Sequence, residues 1–149
     1  MKLAFVLITS LASLSASASA IAAEFSAEGQ TPGVKIVVRE VKRDAAATVT
    51  LRFQLVNDGT GTFKTYGVLG ELFSLDKVTL IDAGNKKKYL VVADAEKHCV
   101  CSELKDDVKP GTRFNLWAKF PAPPADVAKI AVVVPGFEPV DVPITAATP

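Results

Sequence analysis

The sequence predicts an all-β domain of about seven short strands, arranged as two antiparallel sheets closed face to face. Three observations predict it. Apolar residues recur at every second position along most of the chain, the period of a strand with one buried face. Clusters of glycine, proline, asparagine and aspartate punctuate these runs at the spacing of strand ends. Beyond the N-terminal stretch, no segment holds a sustained helical period.

The chain opens with "MKLAFVLITSLASLSASASAIAA". Lys2 precedes an apolar run from Leu3 to Leu14, and small residues follow, with Ala18-Ser19-Ala20 and Ala20-Ile21-Ala22 as cleavage options. This is the layout of a secretory signal peptide over residues 1–22, and its apolar run is too short to span a bilayer. Removing 22 of the 149 residues leaves 127, enough for one β-sandwich domain over 23–149 with its own core. Loss of Lys2 takes the net charge from +1 to zero. A neutral mature chain carries no global field to draw in nucleic acid, so nucleic acid is not expected as a partner. No later segment is apolar and long enough to cross a membrane, and the expected location is periplasmic or extracellular.

The strands follow in order. "VKIVVREVKR", Val34 to Arg43, sets Val34, Ile36 and Val38 on one face; its parity shifts at Val41, the mark of a bulge or a strand end. "TVTLRFQLVN", Thr48 to Asn57, sends Val49, Leu51, Phe53 and Leu55 one way and Thr50, Arg52 and Gln54 the other. "KVTLID" and "KYLVVAD" flank "DAGN", a hairpin loop. "TRFNLWAKF" offers Phe114, Leu116, Ala118 and Phe120; "KIAVVVPGF" offers Ile130, Val132 and Val134; "PVDVPI" closes with Val140, Val142 and Ile144. "FPAPPADV", Phe120 to Val127, is too rich in proline for a ladder and is expected to be a connection. The glycine-interrupted, apolar "YGVLGELFSL", Tyr66 to Leu75, reads as a core-covering loop or as a docking patch. Half-buried strands need a second layer, and the expected result is immunoglobulin-like in outline, with a closed barrel as the other way to cover the faces.

The second half of the chain carries a further pattern: Asp82 and Gly84 before Tyr89, then Cys99, Cys101 and Ser102, Pro110-Gly111, Phe120 to Pro124, and Val134 to Phe137. In these positions the chain resembles a group of exported bacterial domains of uncharacterised function. The resemblance implies an immunoglobulin-like sandwich outside the cytoplasm, and it implies nothing about catalysis.

Chemistry concentrates in "EKHCVCSEL", Glu96 to Leu104, which holds the only histidine, His98, and both cysteines, Cys99 and Cys101. Extended, the two cysteines project to one side with Cα atoms about 6.5–7 Å apart, so a bridge needs a pinched backbone. Four readings stay open. A local disulfide leads, because an exported chain meets oxidising conditions. The others are inert thiols, a copper or zinc site using Cys99, Cys101 and His98, and thiol–disulfide exchange. A hydrolase finds no base beside a nucleophile and no G-x-S-x-G. The acids Asp82, Asp94, Glu96, Asp106 and Asp107 cannot be brought together on paper.

Weaker binding candidates are Lys86, Lys87 and Lys88, at the presumed hairpin tip, and Trp117, off the parity of its core-facing neighbours. The leading expectation is therefore a non-catalytic envelope protein that needs no cofactor and binds an envelope protein or glycan through its loops. The alternative is a periplasmic metal-binding or thiol-reactive protein.

Overall fold

The structure, a computed structural model, describes residues 24–44, 47–71, 74–104 and 107–147. The signal-peptide stretch 1–22, Leu72, Phe73 and Asp106 lie outside the described residues. Ten strands are present: β1 (Phe25–Glu28), β2 (Val34–Arg43), β3 (Thr48–Asn57), β4 (Phe63–Lys64), β5 (Thr79–Asp82), β6 (Lys87–Leu90), β7 (Asp107–Val108), β8 (Thr112–Pro121), β9 (Lys129–Val133) and β10 (Val140–Thr145). No helix occurs among the described residues, so none there crosses a membrane. The protein is all-β.

The alternation is realised in the core. Val49, Leu51, Phe53 and Leu55 of β3 are buried, as are Ile36 and Val38 of β2, Leu116, Ala118 and Phe120 of β8, and Ile130 and Val132 of β9. Apart from Ala118, each such side chain contributes about 1.5–3 kcal/mol when fully buried. The parity shift of β2 is a bulge: the β2–β3 register jumps between Val38 and Glu40, and the strand then continues to Arg43. That shift lets Val41 return to the core face.

The pairing corrects two expectations. Ten strands occur among the described residues where about seven were expected; β1, β4 and β7 were not anticipated. The arrangement is also not purely antiparallel. Eight strands form one mixed sheet in the order β6-β5-β9-β10-β2-β3-β8, with β1 also on β2, while β4 and β7 make a separate ladder. The parallel joint is β10 on β2, through Ile144 opposite Val41 and Thr145 opposite Lys42. Before the bulge, the same edge of β2 carries β1, antiparallel, over Lys35 to Val38. The bulge thus marks where β2 exchanges one partner for the other. Through this joint the sheet curls as a half-barrel around a single core shared by β2, β3, β5, β8, β9 and β10.

Proline behaves differently from expectation as well. Pro121 ends β8 instead of starting a loop. Lys119, of the same parity, bonds away from β3, so the N–H that Pro121 lacks is not needed in the β3 ladder. The rest of the proline-rich segment is a connection, held by Arg43, whose guanidinium donates to the carbonyls of Pro123 and Pro124 at 2.8 Å and of Val127 at 3.1 Å. The segment from Tyr66 covers the core with Leu69 and Leu75, both fully buried, while Tyr66 is 52% exposed. Gly70 sits against the Ser74 carbonyl with no room for a side chain.

Candidate functional site

Strands β6 and β8 are the two ends of the curled sheet, and the chain that follows β6 ties them together. Val92 donates its N–H to the Lys119 carbonyl at 2.8 Å, Val100 donates to the Val92 carbonyl at 2.7 Å, and Lys119 donates to the Val100 carbonyl at 2.9 Å. Ser102 continues this seam along β8. Its N–H donates to the Trp117 carbonyl at 2.8 Å, and its hydroxyl accepts the Trp117 N–H at 3.0 Å. The hydroxyl thereby substitutes for a missing ladder acceptor on an otherwise open edge.

The cysteine stretch is pinched because it changes partner within three residues. Cys99 bridges Ala93 on one side of the seam and Cys101 bridges Ala118 on the other. The Cα atoms stand 5.3 Å apart, shorter than the extended spacing and within the range of a disulfide, and the two sulfurs are in bonding contact. Between the arms, Lys97 adopts a left-handed conformation, φ 66°. This turn brings His98 back over Asp94, whose carboxylate accepts the His98 N–H at 2.8 Å. Nδ1 of His98 lies 3.5 Å from the other Asp94 oxygen.

The turn decides which groups meet. His98 joins Asp94 and Glu96, with one ligand atom from each within 4.8 Å of the others, and all three side chains are exposed. These residues, and not Cys99, Cys101 and His98 of the alternative metal reading, form the metal-capable group among the described residues. Nothing in the sequence brought Asp94 and Glu96 together with His98; the left-handed turn at Lys97 does so.

A cleft of about 680 Å³ opens beside the seam. It is lined by Leu90, Val91 and Ala93, leading out of β6, and by His98, Cys99, Cys101 and Glu103 of the adjoining seam loop. Glu71, Ser74 and Asp76 close one end, and Lys97 borders it. This size lies within the 300–1,000 Å³ of typical ligand sites. The end turn is internally braced: Asp76 accepts the Glu71 N–H at 3.3 Å, its own N–H donates to Ser74 Oγ at 3.1 Å, and Lys77 pairs with the Glu71 carboxylate at 3.3 Å. Three carboxylates, Glu71, Asp76 and Glu103, and one lysine, Lys97, line the cleft.

The weaker candidates lie elsewhere. Lys86, Lys87 and Lys88 are exposed at the β5–β6 hairpin, where Lys86 is left-handed, φ 53°, and none of them lines the cleft. The hairpin loop is held by Asp82, which accepts from Asn85 Nδ2 at 2.7 Å and from its N–H at 3.1 Å. Those bonds from Asn85 hold the Asp82 carboxyl below the ordinary carboxylate range. Trp117 is half-buried in a separate shallow hollow beside Arg39, Arg52 and Asn115. Its backbone anchors Ser102 on the seam.

No family model matches the chain, and no curated protein matches it. A crystal structure of a conserved hypothetical protein from Bacillus anthracis is similar over 80% of this chain and 92% of that chain, at 19% identity and a TM-score of 0.43. A likeness of that degree carries no argument.

Proposed function

We propose that this chain is an exported, non-catalytic binding module of the cell envelope, with an immunoglobulin-like outline, that takes an envelope protein or glycan in the cleft beside the Cys99–Cys101 loop. The observation that carries this reading is the cleft itself: it is lined by residues of β6 and of the seam loop and by Glu71, Ser74 and Asp76, and backbone bonds tie the continuation of β6 to the seam loop. Preorganised walls reduce the ordering cost of binding. The signal-like N-terminus supports export. In an oxidising compartment the bonding contact of Cys99 and Cys101 is a disulfide, serving as a local clip on the seam. Neither a cofactor nor nucleic acid enters this reading.

The test compares wild type with Ala93→Trp, which fills the cleft from an exposed position. Both proteins, produced by export and checked for equal urea midpoints, are probed with defined peptidoglycan fragments and with purified envelope proteins. Binding by wild type that Ala93→Trp loses supports the reading. Binding unaffected by the tryptophan, or a protein retained in the cytoplasm, refutes it.

A second reading rests on Asp94, Glu96 and His98, whose convergence suits a divalent zinc or copper ion with mixed oxygen and nitrogen ligands. Calorimetric titration with zinc sulfate and with copper sulfate decides it. Stoichiometric uptake that His98→Ala abolishes supports a metal-binding role, and heat indistinguishable from that of His98→Ala rejects it.

A further inference from the structure

We infer that the cleft receives an extended, cationic peptide segment, added as a short strand along the open edge of β6; this rests on the binding-module reading and specifies its partner. The argument begins with which way the backbone of β6 faces. Ile144 of β10 donates its N–H to Ala128 at 2.8 Å, so even-numbered residues of β9 turn their polar groups toward β10 and odd-numbered ones toward β5. Ala131 and Val133 of β9 therefore bond Ile81 and Thr79 of β5, which leaves Leu80 and Asp82 to bond Tyr89 and Lys87 of β6. By this alternation Lys88 and Leu90 direct both N–H and C=O away from the sheet.

Val92, two residues further on, has the same orientation and spends both groups on the seam, toward Lys119 and Val100. The seam is thus zipped at Val92 and open at Leu90, where the cleft begins. Leu90 lines that opening and is 59% exposed, the most exposed large apolar side chain among the described residues. An open strand edge with an exposed apolar side chain is a template for a further strand.

Charge selects the peptide. Glu71, Asp76 and Glu103 line the cleft against Lys97 and His98. With Lys77 counted against its partner Glu71 and His98 uncharged, Asp76 and Glu103 exceed Lys97 by one negative charge. An added strand pointing lysine or arginine toward Asp76 and Glu103 satisfies them, and its apolar residues cover Leu90. The lysines at the hairpin lie outside the cleft and protect the remainder of the β6 edge.

The probe is acetyl-(Val-Lys)₃-amide, titrated at low salt into the full mature protein and followed by amide chemical shifts. Saturable shifts at Leu90, Val91 and Glu103 are expected. Glu103→Gln and Asp76→Asn should each weaken binding by about two- to five-fold, the range of exposed charge pairs. The same peptide methylated on alternate backbone nitrogens should lose about ten-fold or more, because the edge can no longer bond it. Equal binding by acetyl-(Val-Glu)₃-amide or by the methylated peptide overturns the inference. So does no binding by the lysine peptide, or a dimer in sedimentation that occupies the β6 edge. If peptidoglycan fragments bind wild type and not Ala93→Trp while all peptides fail, this inference falls and the binding-module reading stands. If Ala93→Trp changes nothing for any probe, both fall.

Discussion

Replacing both Cys99 and Cys101 with serine tests what the clip contributes. The residues are two apart in sequence, so the ring closes over only three residues. In the chain-entropy model a three-residue ring removes about 1.6 kcal/mol of unfolded-state entropy at 25 °C, against about 3 kcal/mol for a fifteen-residue loop. The global cost of the double substitution is therefore expected to stay near or below about 1.6 kcal/mol, a modest part of a typical 5–15 kcal/mol. The effect should be local. The N–H groups of Val92, Val100 and Lys119 meet at the seam, and that of Ser102 lies beside it. Native-state hydrogen exchange at these four amides should accelerate by up to roughly 15-fold, the equivalent of about 1.6 kcal/mol. The amides of Leu51 and Phe53, in a strand paired on both sides by β2 and β8, should not change. The matching mass measurement is simple: the exported protein should be two hydrogens lighter than its dithiol form and accept alkylating agent only after reduction. A global loss above about 4 kcal/mol would make the ring a staple of the whole fold and refute the reasoning. Unchanged exchange at the seam would show that the clip holds nothing there.

Three further outcomes are expected. Asn57 is fully buried, donates to Gly61 and Val108 at 2.8 Å and accepts from Gly59 at 3.0 Å, so Asn57→Ala should cost about 2–3 kcal/mol in urea denaturation; a cost under about 0.5 kcal/mol would contradict it. The Tyr89 hydroxyl is buried without a partner among the described residues, and burial, with the Asp82 charge, pushes its pKa up, so Tyr89→Phe should leave the denaturation midpoint unchanged or raise stability by up to about 1 kcal/mol. Burial pushes the Asp44 carboxyl up, but bonds from Lys119, Thr48 and Thr50, with the attraction of Lys119, outweigh it and hold the carboxyl below the ordinary value of 3.8. A depressed folded-state value means that its stabilisation is complete above the unfolded value and is lost as pH falls through the folded one. Stability should then decline from pH 5 to pH 2 more steeply in wild type than in Asp44→Asn, and parallel profiles would disprove the linkage.

Much of the strand content was legible before any coordinates. Val34–Arg43 and Thr48–Asn57 are strands with those bounds, because a half-buried strand imprints its period on adjacent residues. The bulge was visible as a parity shift for the same reason. Strands β4 and β7 were not, since two residues give no repeat to register, and neither was β1, where the apolar Phe25 and Ala27 alternate only once. The cleft was only partly legible. The unusual composition of Glu96 to Leu104 drew attention to the right loop, and Glu71 lay in the stretch read as a core-covering loop or docking patch, yet nothing joined these to Asp76 and Leu90, ordinary residues far along the chain.

The amino-acid sequence alone therefore determined the all-β character, the buried face of the long strands and the loop where chemistry is concentrated, because all of these depend on neighbours along the chain. The tertiary structure decided that β10 meets β2 in parallel, that the ends of one curled sheet meet at Val92, Val100 and Lys119, and that a cleft opens at Leu90. Alternation states which side chains leave water, but it is identical for every choice of strand partner, and only the closing of the sheet around one shared core selects among them.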